Sequence, residues 1–170
     1  VRIWGGVITV FCCGAMGITI ALSYSLRVKN LRQLIRFIQL LRSEINYART
    51  PLPVIFEKLA GQFKGPLGSF VASLHRKLAN NRGDSFQEIW QACLRILKAQ
   101  GFPPQVLDDL LEYGLSLGVS DAEEQEKHLT FLLIRLEEAL TIAAAEKARY
   151  TKVWQYLGFC TGLLIVLLLF

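Results

Sequence analysis

Residues 65–104 read GPLGSFVASLHRKLANNRGDSFQEIWQACLRILKAQGFPP, and two apolar stripes within them repeat at the three- and four-residue spacing of a helix face. The first is Leu67, Phe70, Val71, Leu74 and Leu78; the second is Phe86, Ile89, Trp90, Cys93 and Leu97. Alternation with period two is missing from both, so the spacing predicts helices and not strands. The breaks between the stripes are chemically explicit. Gly65-Pro66 opens the first helix, because proline tolerates only the first turn. The polar run NNRGD closes it. Ser85 followed by Glu88 has the spacing of a capping box, in which each side chain satisfies the other residue's backbone N–H. Gly101 then ends the second helix, and Pro103-Pro104 opens the next.

The same punctuation extends outward in both directions. Upstream, Leu31, Leu34, Ile35, Ile38, Leu41 and Ile45 keep helical spacing, with no Gly or Pro between Gly17 and Pro51. Thr50 is expected to cap a short helix with Pro51 at its first position, ending near Gly61. Downstream, Val106, Leu107, Leu110 and Leu111 mark a helix that Gly118 closes. Ser120 and Glu123 then repeat the capping-box spacing, ahead of a last helix with no breaker before Gly158. The expectation is an all-α fold, a six-helix antiparallel bundle. An even number of helices joined by short turns returns the chain to the end at which it entered.

Both flanks of this bundle are apolar. No charged residue occurs from Ile3 through Leu26 or from Val153 through Phe170. At about 1.5 Å per helical residue, the second run reaches roughly 27 Å, close to the thickness of a bilayer core. The sequence therefore predicts three parts: an N-terminal transmembrane helix (1–26), a helical bundle domain (27–152) and a C-terminal transmembrane helix (153–170). A secretory signal peptide is the rival for the first run, but its apolar region is shorter and ends at a small-residue cleavage site. Both ends are expected to serve as anchors. Lysine and arginine crowd the bundle side of both spans, while Arg2 alone flanks the other side, which places the bundle in the cytosol. Cysteine usage agrees with a reduced compartment, because Cys12, Cys13 and Cys160 lie in the spans and Cys93 on an apolar face, with no disulfide or zinc spacing.

On this frame the charges segregate. Arg27, Lys29, Arg32, Lys64, Lys98, Lys147, Arg149 and Lys152 gather at the membrane end against one acid, Glu146. Such a collar attracts anionic lipids. Nucleic-acid binding would need an open basic patch or a stacking platform, and none is expected. The opposite end mixes signs, with Arg49, Arg82, Asp84, Asp121 and Glu124 at or beside its turns. These residues either form a partner-docking site or are simply solvated turns.

Signals for chemistry are weak throughout. The chain has no Gly-rich phosphate loop, no serine elbow and no His or Cys pair at ligand spacing, so neither a cofactor nor a metal nor a catalytic residue is expected. Glu124 and His128 fall four apart on the last helix, but a di-iron Glu-x-x-His motif would need an acid at position 125, which is Gln. A hydrogen bond is the simpler account. In the spans, Cys13, Gly17, Ala21 and Ser25 recur every fourth position, and Gly158 with Gly162 makes a GxxxG pair. Small faces of this kind let helices approach closely in lipid. They also follow from the ordinary abundance of Gly and Ala in membrane helices.

Three stretches, LRSEINYARTPLP (41–53), LGVSDAEEQEKHL (117–129) and EKARYTKVWQYLGFCTGLLIVLLL (146–169), together and in this order, resemble the stage III sporulation protein AB family. The resemblance covers essentially the whole chain, and none of its motifs is catalytic. The family's helical domain is similar to the F-component platform proteins of type II secretion and type IV pilus systems. The resemblance implies a non-enzymatic membrane platform of the sporulation channel between mother cell and forespore, located in the mother-cell membrane facing the forespore. It also implies two classes of partner: a secretion-type ATPase from the same operon, and other channel membrane proteins. A membrane-anchored regulatory adaptor unrelated to secretion and a membrane enzyme are the alternatives; the enzyme would require an ionisable cluster in the spans, which hold only residues such as Thr9, Thr19, Ser23, Tyr24, Ser25 and Thr161.

Overall fold

The computed structural model describes the backbone of residues 2–48, 50–80, 83–117 and 122–169, and side-chain surroundings for all of these except most positions in 2–21 and 151–169 and residues 47–48 and 122–123. Among the described residues the protein is entirely helical. Six α-helices, α1 (Arg2–Ser43), α2 (Leu52–Leu59), α3 (Gly65–Ala79), α4 (Phe86–Ala99), α5 (Pro104–Ser116) and α6 (Ala122–Leu169), are accompanied by a π-helical turn at Glu44–Ala48. The chain divides into two compact units. One is Asn30–Ala139; the other combines Val1–Lys29 with Leu140–Phe170.

The helix boundaries follow local chemistry. Ser85 caps α4 as its spacing predicts: Glu88 N–H donates to Ser85 Oγ (3.3 Å), and Ser85 N–H donates to Glu88 Oε2 (2.9 Å). At the other end of α4, Gly101 adopts φ +76°. Its N–H donates to Lys98 O, and Phe102 N–H donates to Leu97 O. This is a Schellman closure, with Phe102 buried as the apolar residue that commonly accompanies it. The expectation for Thr50 is corrected. Pro51 stands at the cap position of α2 without a side-chain bond, and Thr50 Oγ1 donates instead to Glu44 Oε2 at 2.9 Å. Because the helix begins at Leu52, Thr50 stands one residue before the cap, and its hydroxyl is left to donate to a charged acceptor, the stronger kind of hydrogen bond. The Ser120–Glu123 capping box lies outside the described residues.

Within the unit Asn30–Ala139, aromatic rings organise the core. Phe37 meets Phe63 and Phe70 edge-on, at 5.7 and 6.1 Å between centroids. Phe70 in turn meets Trp90 edge-on at 5.3 Å, the geometry that ring quadrupoles favour. Phe56 closes the cluster against Trp90 at 6.4 Å. Trp90, Phe37, Phe56 and Phe70 are all fully buried. The indole N–H does not pay a desolvation penalty, since Trp90 Nε1 donates to Leu110 O at 2.9 Å. Close approach of α4 and α5 depends on Gly114, where a Cβ would fall 2.1 Å from Trp90 Cδ1. Helices α5 and α6 run antiparallel: Asp109 pairs with Arg135, while the later Glu112 and Tyr113 share a cleft with the earlier His128.

Within the second unit, α1 and α6 touch. Tyr24 and Tyr150 stack at 5.5 Å with an interplanar angle of 18°. Arg27 Nη1 donates to Glu146 Oε2 at 2.9 Å. Among the described residues no helix is long and apolar enough to cross a membrane, and the two apolar runs of the sequence lie largely at positions whose side chains fall outside the description.

Candidate functional site

Three surfaces were expected from the sequence. The expected polar end is described only in part. Asp84 and Glu124 are exposed; Arg49, Arg82 and Asp121 lie outside the described residues. The small-residue faces expected to pack in the membrane (Cys13, Gly17, Ala21, Gly158 and Gly162) fall in α1 and α6, with their side-chain surroundings outside the description as well.

The basic residues expected to form a collar have different environments. Lys29, Arg32, Lys64, Lys98, Arg149 and Lys152 are exposed and Lys147 half-buried. Arg27 is different, because its guanidinium lies on Glu146 with both side chains about one-third exposed, at 37% and 34%. The one acid counted at that end thus compensates one particular base. Arg149 reaches over the ring of Tyr150, with 5.8 Å from its Cζ to the centroid, and this stacking leaves the charge available while orienting it.

Pattern reading did not anticipate an open groove of about 500 Å³ within the unit Asn30–Ala139. The end of α1 and the following turn contribute Arg42, Ser43 and Asn46; α6 contributes Glu126, Thr130 and Glu137, with buried Leu133 also in the lining. Arg42 Nη2 donates to Glu126 Oε1 across it at 3.0 Å. Next in the chain to Ser43, Glu44 accepts from Thr50 and also from Lys58 Nζ at 3.1 Å. These two donors, Lys58 first, hold the Glu44 carboxyl below its usual range. The π-helical turn Glu44–Ala48 reaches the groove through Asn46, and such turns recur at functional positions in other folds. A signal was present in the sequence, since LRSEINYARTPLP carries part of the family resemblance. The groove itself could not be read, because it is a gap between segments some eighty positions apart in the chain.

The arrangement offers hydrogen bonds and charge, with little nucleophilic power. Cys93 is buried, and burial pushes its thiol pKa up despite Lys77 and Arg76 nearby, which disfavours the reactive thiolate. Burial likewise pushes the Tyr113 phenol up. Among the described residues, no group of three or more His, Cys, Asp or Glu is placed to hold a metal ion.

The chain is 29% identical over 169 residues to the stage III sporulation protein AB of Bacillus subtilis (strain 168), an alignment covering 99% of this chain and 98% of that protein. A solved structure titled stage III sporulation protein AB (SpoIIIAB) superposes with a TM-score of 0.67 at 26% identity, covering 73% of this chain and 98% of the solved one. The sequence model of the family described as stage III sporulation protein AB matches residues 2–170. The chain, over essentially its whole length, belongs to the stage III sporulation protein AB family.

Proposed function

We infer that this sporulation protein is a non-enzymatic membrane platform: two apolar helices anchor a cytosolic helical bundle in the mother-cell membrane facing the forespore, and the bundle docks a secretion-type ATPase and other channel proteins. The observation that carries this reading is the pairing of the two ends of the sequence. Tyr24 with Tyr150 and Arg27 with Glu146 join α1 to α6 next to the uncharged runs, as expected of anchors that enter a bilayer side by side. The basic residues beside those runs favour a cytosolic bundle and contact with anionic headgroups.

Helix parity supports an exposed docking end around Arg49, Arg82, Asp84, Asp121 and Glu124, and the groove beside Arg42 and Glu126 adds a concave surface to it. Polar and charged groups on a solvent-facing end supply specificity and association rate more than raw affinity. The test is a charge-reversal variant of those five residues, produced at normal level and correctly inserted. It is expected to lose pull-down of the ATPase and to fail in sporulation. Normal pull-down and normal spore yield would refute docking at this end.

A further inference from the structure

The outward ridge of α6 in the unit Asn30–Ala139 carries Lys127, Phe131, Ile134 and Glu138. Their 4-3-4 spacing is that of a coiled-coil seam, and it extends roughly 17 Å along the helix. Its two inner positions are apolar and its two outer ones carry opposite charges. Here Phe131 is 56% exposed and Ile134 51% exposed, although α6 buries its opposite side through Leu129, Leu132, Leu133 and Leu136. The ridge stands between two depressions: Ile134 borders the groove toward α1, and Phe131 borders the cleft toward α5. Phe131 is also held in place. Arg135, anchored by Asp109, lies over its ring at 4.8 Å, so less side-chain freedom remains to be lost on docking.

We propose that this ridge is a self-association surface, and that its occupant is α6 of a second copy of the chain, packed antiparallel about a two-fold axis. The charge order selects this occupant. With the axis between positions 132 and 133, Phe131 meets Ile134 of the other copy, and Lys127 meets its Glu138; each contact occurs twice. Self-complementarity of this kind is the requirement of an isologous interface. A parallel pairing would instead set lysine against lysine and glutamate against glutamate. Lys127 and Glu138 each also have an interaction within the chain, and the pairing needs only their positions. A seam of four residues covers much less than the roughly 1,200 Å² of a stable interface. The contact is therefore weak between dilute chains and becomes significant when chains share one surface, where the effective concentration is high.

The experiment co-expresses two differently tagged copies of the full chain, traps their contacts in intact cells with a non-selective photo-crosslinker before extraction in mild detergent, and measures capture of one by the other. Wild-type copies are expected to capture each other. Phe131→Ala with Ile134→Ala is expected to reduce capture at least tenfold, with an unchanged melting profile because both side chains are more than half exposed. Lys127→Glu alone, in both copies, sets like charges opposite each other and is expected to weaken capture; adding Glu138→Lys in the same chains restores it. Capture that is indifferent to the alanine pair would overturn the proposal. So would a Lys127→Glu effect that Glu138→Lys fails to reverse, or wild-type copies that do not capture each other while the alanine pair abolishes sporulation, which would assign the ridge to a different protein. None of these readouts involves the ATPase, so the platform reading and this one fail separately.

Discussion

Gly114 shows how a single atom decides the distance between two helices. Its missing Cβ leaves the space taken by the Trp90 indole, which would otherwise have a carbon 2.1 Å away. Trp90 in turn places its N–H on Leu110 O, so both the packing and the hydrogen bond of the α4–α5 contact depend on the glycine. Gly114→Ala is therefore expected to destabilise the fold by about 1–3 kcal/mol, the usual cost of overpacking. Chemical denaturation would measure this, and a change below about 0.5 kcal/mol would mean that the indole moves aside freely. The glycine drew no attention in the sequence because it lies inside an apolar helical stripe, where one would expect a packing residue. Tyr113 was passed over similarly, although it is nearly fully buried; with its hydroxyl, it does not stand out as core in a reading by hydrophobicity.

At the scale of elements, the joint between α1 and α2 is made by the π-helical turn and the carboxylate of Glu44. Lys58 and Thr50 favour the ionised form of that carboxyl and hold its pKa below the ordinary value. A depressed carboxyl contributes stability above its unfolded pKa, and the contribution disappears as pH falls through the folded value. The joint is therefore complete at neutral pH and loosens only in acid below the ordinary carboxylate range. Lys58→Ala is expected to move the Glu44 titration, followed by NMR of the side-chain carboxyl, upward toward the ordinary value. An unchanged titration would show that Lys58 contributes nothing to this joint. Most element boundaries were legible beforehand: the Ser85–Glu88 box, the glycine closure at Gly101 and the prolines of α3 and α5 all lie where spacing places them. Thr50 departs from its expectation because the helix starts one residue later than the cap preference places it, with Pro51 at the cap position.

For the molecule as a whole, the ion pair of Arg27 with Glu146 changes how the proposed basic collar should behave. Attraction to anionic lipid is worth about 1 kcal/mol per basic residue near the surface. Replacing Lys29, Arg149 and Lys152 together by Gln is thus expected to weaken binding of the segment 27–152 to anionic vesicles by up to about 3 kcal/mol at low salt. Screening at high salt should remove the difference. Arg27→Gln should cost less, because its charge is already partly compensated. Equal losses from Arg27→Gln and from each of the other substitutions, in a co-sedimentation assay, would show that the pairing with Glu146 does not matter at the lipid surface.

The sequence by itself determined the helical class, the ends of most helices and the family. Caps, glycine closures and apolar periodicity act over three to five residues, and such short-range interactions survive without knowledge of the fold. Tertiary structure decided the rest: that Arg27 finds Glu146 at 119 positions' separation, that Arg42 and Glu126 face each other across a groove, and that the apolar Phe131 and Ile134 stand out in solvent. Periodicity reports that a helix has apolar residues. Which of them is covered depends on where the neighbouring helices lie, and that is settled by packing between segments distant in the chain.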